Sequence, residues 1–529
     1  MKKTKITCFL ALLCLFGSEI YGQVASPPTT TGSENVSAPV VVYFEVNSPV
    51  PIDTFTVSFN AHYLDDFTRL PEPENTELAS KRGSVYGGNA SMEYFTYQSP
   101  RFSDTGYLTI KGGKGTFLER VQISPGDSVA ISVDLENGNT VFSGPDAMKY
   151  RCQHELRLAH RAFMEQVPPV MYTGDTAVHF NEGNNREEYK KALANAPSMQ
   201  PPMQVVAYGD GSIPYIRSVL NLEVKDHPGY QVLRAYAAVL DRDFMVSMEK
   251  ELEGMAYGEK VQAFMRSFRH TDAFRKLYNE TISSLPLDRE DDVLRHSAHY
   301  LDYLFDRCTL RAILEGVPIY EVYGEYSPKV RDQLIGKYLV KFYRQLPSPE
   351  EKFTQGLATV KTPWVLETIS GLYQTQKVGA PFLETEFTGT DGKTVPSNTF
   401  KGKVVLLDFW FTGCSASSKM HHNYLQPTID AIGDAGNFEL VSISRDRDKD
   451  KWLNSIREGK YTSEAYTNLW TGGPDHKVLD YYNIHAFPTL MLLDREGKIR
   501  KVGNFPDDPQ ELAGLIQELI EEPHQSTTP

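Results

Sequence analysis

The sequence predicts a multidomain protein with an N-terminal β-sandwich, a central α-helical region and a C-terminal α/β domain. The first observation is the length of 529 residues, which indicates several domains because one compact hydrophobic core does not grow to that size. The second is that apolar residues alternate up to about residue 145 and then recur at helical spacing up to about residue 376. The third is that strands and helices alternate over residues 377–522.

The first residues are predicted to be a secretory signal peptide, which is not part of the fold. Three lysines occur among the first five residues, and the apolar run 6–17 that follows is too short to span a bilayer easily. Gly22 is a small residue at the expected cleavage point, so residues 1–22 are assigned to the signal peptide. Residues 23–39, rich in Pro, Ser and Thr, are predicted to be a flexible linker.

Residues 40–145 are predicted to form the β-sandwich. β-Branched and aromatic residues alternate with polar ones in short runs, and turns rich in Gly, Pro and Asn separate these runs. The predicted strands are 40–46, 54–59, 106–110, 117–123 and 128–135.

Residues 146–376 are predicted to form the helical domain, because Leu156, Ala159 and Phe163 begin a pattern of helical spacing. An irregular stretch with several prolines interrupts this pattern. The clearest helical segments are 146–167, 229–255 and 291–316.

The almost wholly apolar run Lys403–Trp410 opens a third pattern and has the composition of a buried central strand. A helix, a second buried strand, a hairpin and an amphipathic closing helix follow. This order is that of a thioredoxin-like α/β domain, predicted at residues 377–522, and residues 523–529 are expected to be a disordered tail. The later elements are predicted at about 415–432, 438–446, 488–503 and 507–522.

Charge and cysteine content limit the partners. The formal net charge of −14 argues against a nucleic-acid or anionic-membrane surface, and no stable membrane span is expected. Once the signal peptide has left, the chain keeps Cys152, Cys308 and Cys414. An odd number of cysteines in an oxidising compartment implies a free or intermolecular thiol. A disulfide between Cys152 and Cys308 is not favoured, because buried free cysteines are common.

Two stretches carry a recognisable pattern: residues 392–417 (GKTVPSNTFKGKVVLLDFWFTGCSAS) and residues 483–499 (NIHAFPTLMLLDREGKI). The first resembles the lead-in to the redox motif of the TlpA-like or ResA-like exported thiol-disulfide oxidoreductases. The second resembles the cis-proline loop and β-hairpin of the same family. This resemblance covers about a quarter of the chain and implies a thioredoxin fold with a nucleophile at Cys414.

Cys414 is the candidate catalytic residue. The attacking species in thiol chemistry is a thiolate. A cysteine between a buried strand and a helix start meets free backbone N–H groups and the positive end of the helix dipole. Lys419 and His421 are expected to add positive charge nearby. The other interpretation is a small buried residue that happens to be cysteine.

Ser417 is where the sequence departs from the family, which has a second cysteine there. In a dithiol enzyme that second thiol attacks the mixed disulfide and frees the substrate, which a serine hydroxyl cannot do. Ser417 is expected to cap the helix or to hydrogen-bond the Cys414 sulfur. Release then needs an external thiol, or Cys152 or Cys308 if the fold brings either close. Gly413 also stands where the family often has an aromatic residue.

The resemblance implies three further site residues. Pro488 is expected to follow a cis peptide bond, with the Phe487 backbone beside Cys414 to bind an extended substrate; the alternative is a trans proline at a strand start. Asp408 is expected to be partly buried, with a pKa raised by desolvation. In the family this acid assists proton transfer to the second cysteine, and a retained structural residue is the equal alternative.

Two patterns imitate metal sites. The alternating aspartates of segment 446–450 resemble the start of a calcium loop, but Lys451 and Arg457 stand where that loop needs Gly and Glu. A solvated loop is the preferred interpretation. His421 and His422 point about 100° apart on a helix, so they are not expected to share a metal ion.

We therefore expect an exported, periplasmic-type protein that exchanges disulfides through the single thiol of Cys414. Its partners are protein or peptide thiols and disulfides together with an external thiol reductant, and no cofactor or metal is expected. The alternative is a redox-inactive thioredoxin-fold module for protein binding or assembly. A third interpretation places the function in the sandwich, as an interaction module.

Overall fold

The computed structural model describes residues 37–84, 92–113, 115–195, 203–289, 292–433 and 436–522. An N-terminal β-rich part, a central helical part and a C-terminal α/β part follow one another, which confirms the predicted fold class. The predicted signal peptide, most of the predicted linker and the predicted tail lie outside the described residues. Within these ranges, no helix combines the length and the apolar composition that crossing a bilayer requires.

The N-terminal part consists of two sheets that share one core. Its strands are β1 (Val41–Asn47), β2 (Thr54–Asn60), β3 (Glu74–Ala79), β4 (Lys81–Arg82), β5 (Met92–Gln98), β6 (Gly106–Gly112), β7 (Gly115–Ile123), β8 (Ser128–Asp134) and β9 (Asn139–Ser143). The strand orders are β4-β5-β1-β8-β9 and β3-β2-β6-β7. Between the sheets, the Phe44 ring lies 5.6 Å from that of Phe55.

The five strands predicted from alternation are present, but β3, β4, β5 and β9 were missed. β3 has the polar sequence ENTELA at a sheet edge and therefore shows no apolar alternation. In β5 the inward positions are Glu93, Phe95 and Tyr97. Glu93 is buried, and its carboxylate accepts the Ile52 N–H at 2.8 Å. A charged residue at an inward position interrupts the apolar alternation by which a strand is predicted.

The central part is mainly helical. Its helices are α1 (Ala147–Met164), α2 (Thr176–Asn181), α3 (Asn185–Ala194), α4 (Ile213–Leu220), α5 (Gly229–Tyr236), α6 (Arg242–Ser267), α7 (Asp272–Glu280), α8 (Ala298–Glu315), α9 (Ile319–Gly324), α10 (Pro328–Phe342), α11 (Pro349–Thr359) and α12 (Pro363–Gln376). A parallel strand pair, β10 (Val170–Thr173) and β11 (Gln204–Ala207), lies in the stretch predicted to be irregular. The helix predicted at 229–255 is divided, because the Asp241 carboxylate accepts two N–H groups and starts α6 anew.

Gly254 allows α6 and α8 to approach closely. A Cβ atom there would lie 2.2 Å from the backbone nitrogen of Tyr300, which cannot move aside as a side-chain end can. We expect Gly254→Ala to lower the free energy of unfolding by about 3 kcal/mol in a urea titration. Gly258→Ala is the matched control, because no atom lies within 4 Å of its Cβ position. That control should stabilise by about 0.5–1 kcal/mol, and equal losses in both variants would contradict the close approach.

The C-terminal part is one mixed sheet with helices on both faces. Its strands, in chain order, are β12 (Glu386–Gly389), β13 (Thr394–Pro396), β14 (Val404–Trp410), β15 (Phe438–Ser444), β16 (Thr467–Trp470), β17 (Thr489–Leu493) and β18 (Ile499–Val502). Its helices are α13 (Ser415–Met420), α14 (Gln426–Ile432), α15 (Lys449–Glu458), α16 (Lys477–Tyr481) and α17 (Pro509–Glu521). A π-helical segment, His421–Leu425, joins α13 to α14. The strand order is β13-β12-β16-β15-β14-β17-β18.

β14 is the buried centre of this sheet, and every one of its residues is buried. It runs parallel to β15 and antiparallel to β17. Val405, Leu407 and Phe409 enter the core on one face, and Val404 and Leu406 enter the core under α14 and α17. Since strand side chains alternate, the even-numbered position 408 belongs to the α14 face.

The helical part contacts both of its neighbours. Just after α10, Arg344 donates hydrogen bonds to the carbonyl oxygens of Tyr482 (2.7 Å) and Asn483 (3.1 Å) in the α/β part. Within α10, the buried Lys337 ammonium pairs with Asp65 at 3.0 Å, in the segment after β2. The end of α10 therefore lies where the three parts of the chain meet.

Candidate functional site

Cys414 lies between the end of β14 and the start of α13, as the sequence indicates. It is the N-cap residue of α13, and its sulfur accepts the backbone N–H of Ser417 at 3.4 Å. The side chain is half-buried, whereas those of Cys152 and Cys308 are buried. Among the described cysteines, Cys414 is therefore the one that reagents and substrates reach most easily.

The loop before β17 meets this sulfur. The Phe487–Pro488 peptide bond is cis, as predicted. The Phe487 carbonyl oxygen lies 3.6 Å from the Cys414 sulfur. The structure thus brings Cys414, Phe487 and Pro488 together, as the sequence analysis expected.

Arg445 is a neighbour of the site that sequence reasoning missed. Its guanidinium lies over the rings of Phe411 (5.0 Å) and Phe487 (4.8 Å). These two rings meet edge to face with centroids 5.5 Å apart. Arg445 thus ties the loop before Cys414 to the cis-proline loop and adds a positive charge there. The sequence does carry one signal for this role, because Arg445 directly follows the buried strand β15.

The loop that presents Cys414 is braced by its own hydrogen bonds. Thr412 donates its N–H (3.1 Å) and its hydroxyl (2.6 Å) to the Asp446 carboxylate. Gly413 has φ +104°, in a region that favours glycine, and donates its N–H to the Tyr461 hydroxyl at 3.0 Å. An aromatic residue at position 413 would not adopt this φ without strain.

The interpretation of segment 446–450 as a solvated loop was wrong for its first residue. Asp446 is buried, and its carboxylate also accepts the Ser444 hydroxyl at 2.9 Å, which compensates for the lost water. Asp448 is the N-cap of α15, and its carboxylate accepts the N–H groups of Asp450 and Lys451. The carboxylates of Asp446 and Asp448 thus bind groups of the chain itself. No group of three or more potential metal ligands lies among the described residues.

Ser417 does not act through its hydroxyl, contrary to expectation. Its backbone N–H bonds the Cys414 sulfur, and Cys414, not Ser417, caps the helix. The hydroxyl is buried and has no hydrogen-bond partner in the described part of the chain. One turn further on, His421 is also buried, and burial followed by the neighbouring His422 lowers its pKa to about 4. His421 is therefore neutral at pH 7, so the expected positive charge near Cys414 is absent from this side chain.

Asp408 is more deeply buried than expected, with 2% of its surface exposed. Desolvation raises its pKa from 3.8 to about 7. Its register partner on β17 is Leu490, two residues after Pro488. None of the described hydrogen bonds joins Asp408 to Cys414, and its Oδ1 atom has no partner in the described residues. The structure therefore places Asp408 in the buried strand β14, on the face of the sheet under α14, without a described hydrogen bond to the sulfur.

Cys152 and Cys308 are both free and cannot serve as resolving thiols where they stand. Cys152 packs with Leu156 and Leu252, and Cys308 lies in another core, where its thiol donates to the Tyr326 hydroxyl at 3.3 Å. Burial raises the pKa of Cys152 to about 12 and that of Cys308 to about 11. Both thiols are therefore protonated at neutral pH and unreactive.

Comparison with known proteins agrees with this geometry. Residues 402–499 match the model of a family described as thioredoxin-like. The C-terminal part of the chain is a thioredoxin-like domain. The matched residues run from β14 to the start of β18 and contain Cys414, Ser417 and the cis-proline loop.

The thioredoxin-like domain is related to thiol-disulfide oxidoreductases. It is 24% identical to ResA of Bacillus cereus over 134 residues, which are 25% of this chain and 72% of that protein. It is 31% identical to ResA of Bacillus subtilis over 113 residues, which are 21% of this chain and 59% of that protein. A solved thioredoxin domain of a thiol-disulfide oxidoreductase from Bacteroides vulgatus is 30% identical, with 27% of this chain and 98% of that chain covered and a TM-score of 0.24.

Proposed function

We propose that the thioredoxin-like domain exchanges disulfides through the single thiol of Cys414. The observation that carries the proposal is the half-buried sulfur, which accepts the Ser417 N–H and lies 3.6 Å from the Phe487 carbonyl. The N–H group stabilises negative charge on the sulfur, and the loop at Pro488 offers backbone to an extended peptide. Ser417 takes the position that a second thiol has in a Cys-x-x-Cys pair.

The proposed cycle has two exchange steps. The Cys414 thiolate attacks one sulfur of a substrate disulfide, forms a mixed disulfide with it, and the other substrate sulfur leaves as a thiolate. An external thiolate then attacks the substrate sulfur of that mixed disulfide and forms a new disulfide with it. Cys414 returns to the thiolate. Each step forms one S–S bond and breaks one, so the electrons come from the external thiol.

The need for an external thiol follows from the positions of Cys152 and Cys308. Cys152 and Cys308 are buried in cores of the helical part, and their raised pKa values keep them protonated. A buried thiol cannot reach a mixed disulfide on a half-buried sulfur in another domain. We therefore assign release of the substrate to a thiol reductant from outside the chain.

Export is part of the same proposal. The basic start, the apolar run 6–17 and the small residue Gly22 are the features of a cleaved secretory signal. In an exported setting the partners are protein or peptide thiols and disulfides, which occur in oxidising compartments. Mass determination of the mature chain should find Gln23 at its N-terminus.

A redox-inactive binding module is the second candidate. The observation that favours it is the bracing of the loop by Asp446 and Tyr461, which holds the peptide-binding surface whether or not Cys414 reacts. In that case a Cys414→Ser protein retains its partners in a non-reducing pull-down. In the exchange mechanism those partners are held as mixed disulfides, and they disappear in Cys414→Ser.

Restoring a second thiol with Ser417→Cys is expected to turn the site into a dithiol reductase. The backbone of residue 417 already lies against the Cys414 sulfur, so an internal disulfide closes on oxidation and lowers the mass by about 2 Da. We expect reduction of insulin disulfides by dithiothreitol to speed up by about tenfold or more. The reason is that an intramolecular thiol acts at a high effective concentration.

Ser418→Cys is the matched control. It adds the same atom at the next residue of α13, where the side chain points about 100° away and closes no ring with Cys414. Equal acceleration by both variants would show that any added thiol suffices. If Ser417→Cys forms the internal disulfide and still fails to reduce insulin, exchange at this site is not the function of the domain.

A further inference from the structure

A groove of about 700 Å³ lies beside the cis-proline loop. The thioredoxin-like domain contributes Ala416 and Pro488 to its lining, the first of them two residues from Cys414. The other two parts of the chain add Phe67 from the segment after β2, Lys341 from the end of α10 and Arg344 from just after it. The surface next to the reactive sulfur is therefore built by all three parts.

Phe67 is held in the groove wall by its neighbours. Asp65 pairs with the buried Lys337 at 3.0 Å, and Asp66 pairs with Arg120 at 2.6 Å. Phe67 directly follows these two paired residues and is 65% exposed. A large apolar side chain that a firmly anchored segment directs into a groove has the character of a contact surface.

The groove is positively charged, although the chain as a whole carries −14. Lys341, Arg344 and Lys419 line it, with the Lys341 ammonium 5.2 Å over the ring of Phe305. Arg344 lies over the Tyr343 ring and donates to the uncharged carbonyl oxygens of Tyr482 and Asn483, contacts that leave its positive charge in place. Asp507 is the acidic side chain of the described lining.

His485, three residues before Pro488, responds to this field. It lines the groove, and its pKa is lowered to about 4, first by burial and then by Arg69, Arg344 and Arg445. Three guanidinium groups therefore act on one point of the cis-proline loop. The potential there favours an anionic ligand.

We propose that this groove binds an acidic, extended segment of the substrate next to its reactive cysteine, and that Phe67 and Lys341 select that segment. The inference rests on the proposed exchange at Cys414. Substrate carboxylates pair with Lys341 and Lys419, and an apolar substrate side chain packs on Phe67. The sandwich and helical parts thus determine which protein disulfide reaches the sulfur.

Activated peptides test this selection in the full mature chain. Each hexapeptide carries one cysteine as a 2-thiopyridyl disulfide, flanked by Glu and Leu or by Lys and Leu, and release of 2-thiopyridone reports attack by Cys414. We expect the acidic peptide to react about tenfold faster than the basic one at low salt, with the ratio falling as salt is added. Lys341→Glu should remove this preference, and Phe67→Ala should slow the acidic peptide several-fold.

Lys276→Glu is the control, because it makes the same charge change at a 74% exposed residue of α7, outside the groove. Equal rates for the two peptides, or equal effects of Lys341→Glu and Lys276→Glu, would overturn the selection. Failure of the exchange function has another signature, because 2,2′-dithiodipyridine then leaves Cys414 unmodified. In that event, fluorescence anisotropy with serine in place of the peptide cysteine measures binding alone. No preference for the acidic peptide there overturns the groove proposal.

Discussion

Replacing Cys414 with serine is expected to lower the rate constant for reaction with a peptide disulfide by at least about 10³-fold, the scale on which loss of a nucleophile acts. A serine hydroxyl is not ionised at neutral pH and forms no disulfide, so the covalent step has no nucleophile. The fold should survive, because the sulfur contacts the Ser417 N–H and the Phe487 carbonyl and a hydroxyl can meet both groups. Release of 2-thiopyridone from an activated peptide measures the rate.

Cys152→Ala and Cys308→Ala are the controls for this loss. Both thiols are buried and protonated, so neither variant should change the rate with the peptide by more than about twofold. An unchanged rate in Cys414→Ser would show that another thiol performs the chemistry. A loss confined to Cys308→Ala would point to the same conclusion.

Asp408→Asn is expected to raise the free energy of unfolding by about 4 kcal/mol at pH 8, from a shift of about three pKa units. Burial raises the pKa of Asp408 from 3.8 to about 7. Its Oδ1 atom has no hydrogen-bond partner in the described part of the chain. Above pH 7 the folded protein therefore holds an uncompensated negative charge in its core, and asparagine removes that charge at nearly the same volume.

The direction of the pH dependence follows from proton linkage. The folded state favours the protonated carboxyl, so its contribution to stability is complete below the usual pKa of 3.8 and is lost as the pH rises through about 7. The gain from Asp408→Asn should be small at pH 4 and largest at pH 8. Urea unfolding followed by the fluorescence of Trp410 and Trp452 measures it. Asp430→Asn is the control, because that carboxylate is exposed on the surface of α14, where it accepts the Gln426 amide at 2.8 Å. A gain from Asp408→Asn of equal size at pH 4 and pH 8 would contradict the raised pKa.

The parts of the site that the sequence predicts are those with local signals. The apolar run of β14 places a strand under the site, the end of that run places Cys414 at a helix start, and Pro488 opens the next buried strand. Each of these depends on side chains within a few positions of one another. Strand alternation identified β1 and β2 in the same way, and it failed at β5, where Glu93 takes an inward position.

The parts that the sequence does not predict depend on residues distant in the chain. The sequence predicts that Asp446 is solvated, whereas in the structure it accepts a hydrogen bond from Thr412, which lies 34 positions earlier in the chain. The sequence predicts a positive charge at His421, whereas burial in the folded protein lowers the pKa of this side chain. Only the folded chain shows these contacts, because no local pattern separates an exposed polar residue from a buried one with a partner.

The contribution of the accessory parts is the clearest case of this kind. Lys337 bonds the carbonyl of Leu64 across 273 positions and thereby anchors the segment that carries Phe67. A lysine on a helix is normally predicted to be solvated, but Lys337 is buried. Its partners, Asp65 and the carbonyl of Leu64, belong to the N-terminal part and are more than 270 positions away in the chain.

A mixed disulfide that the chain cannot release by itself is the defining state of the proposed site. The most direct test of this state follows the intact mass of the protein over time. The native protein is incubated with an excess of a peptide disulfide, and the excess is removed before the measurement begins. We expect one peptide adduct, mapped to Cys414, that persists until glutathione is added. Absence of any adduct at Cys414, or loss of the adduct without added thiol as an internal disulfide forms, would contradict a monothiol exchange site.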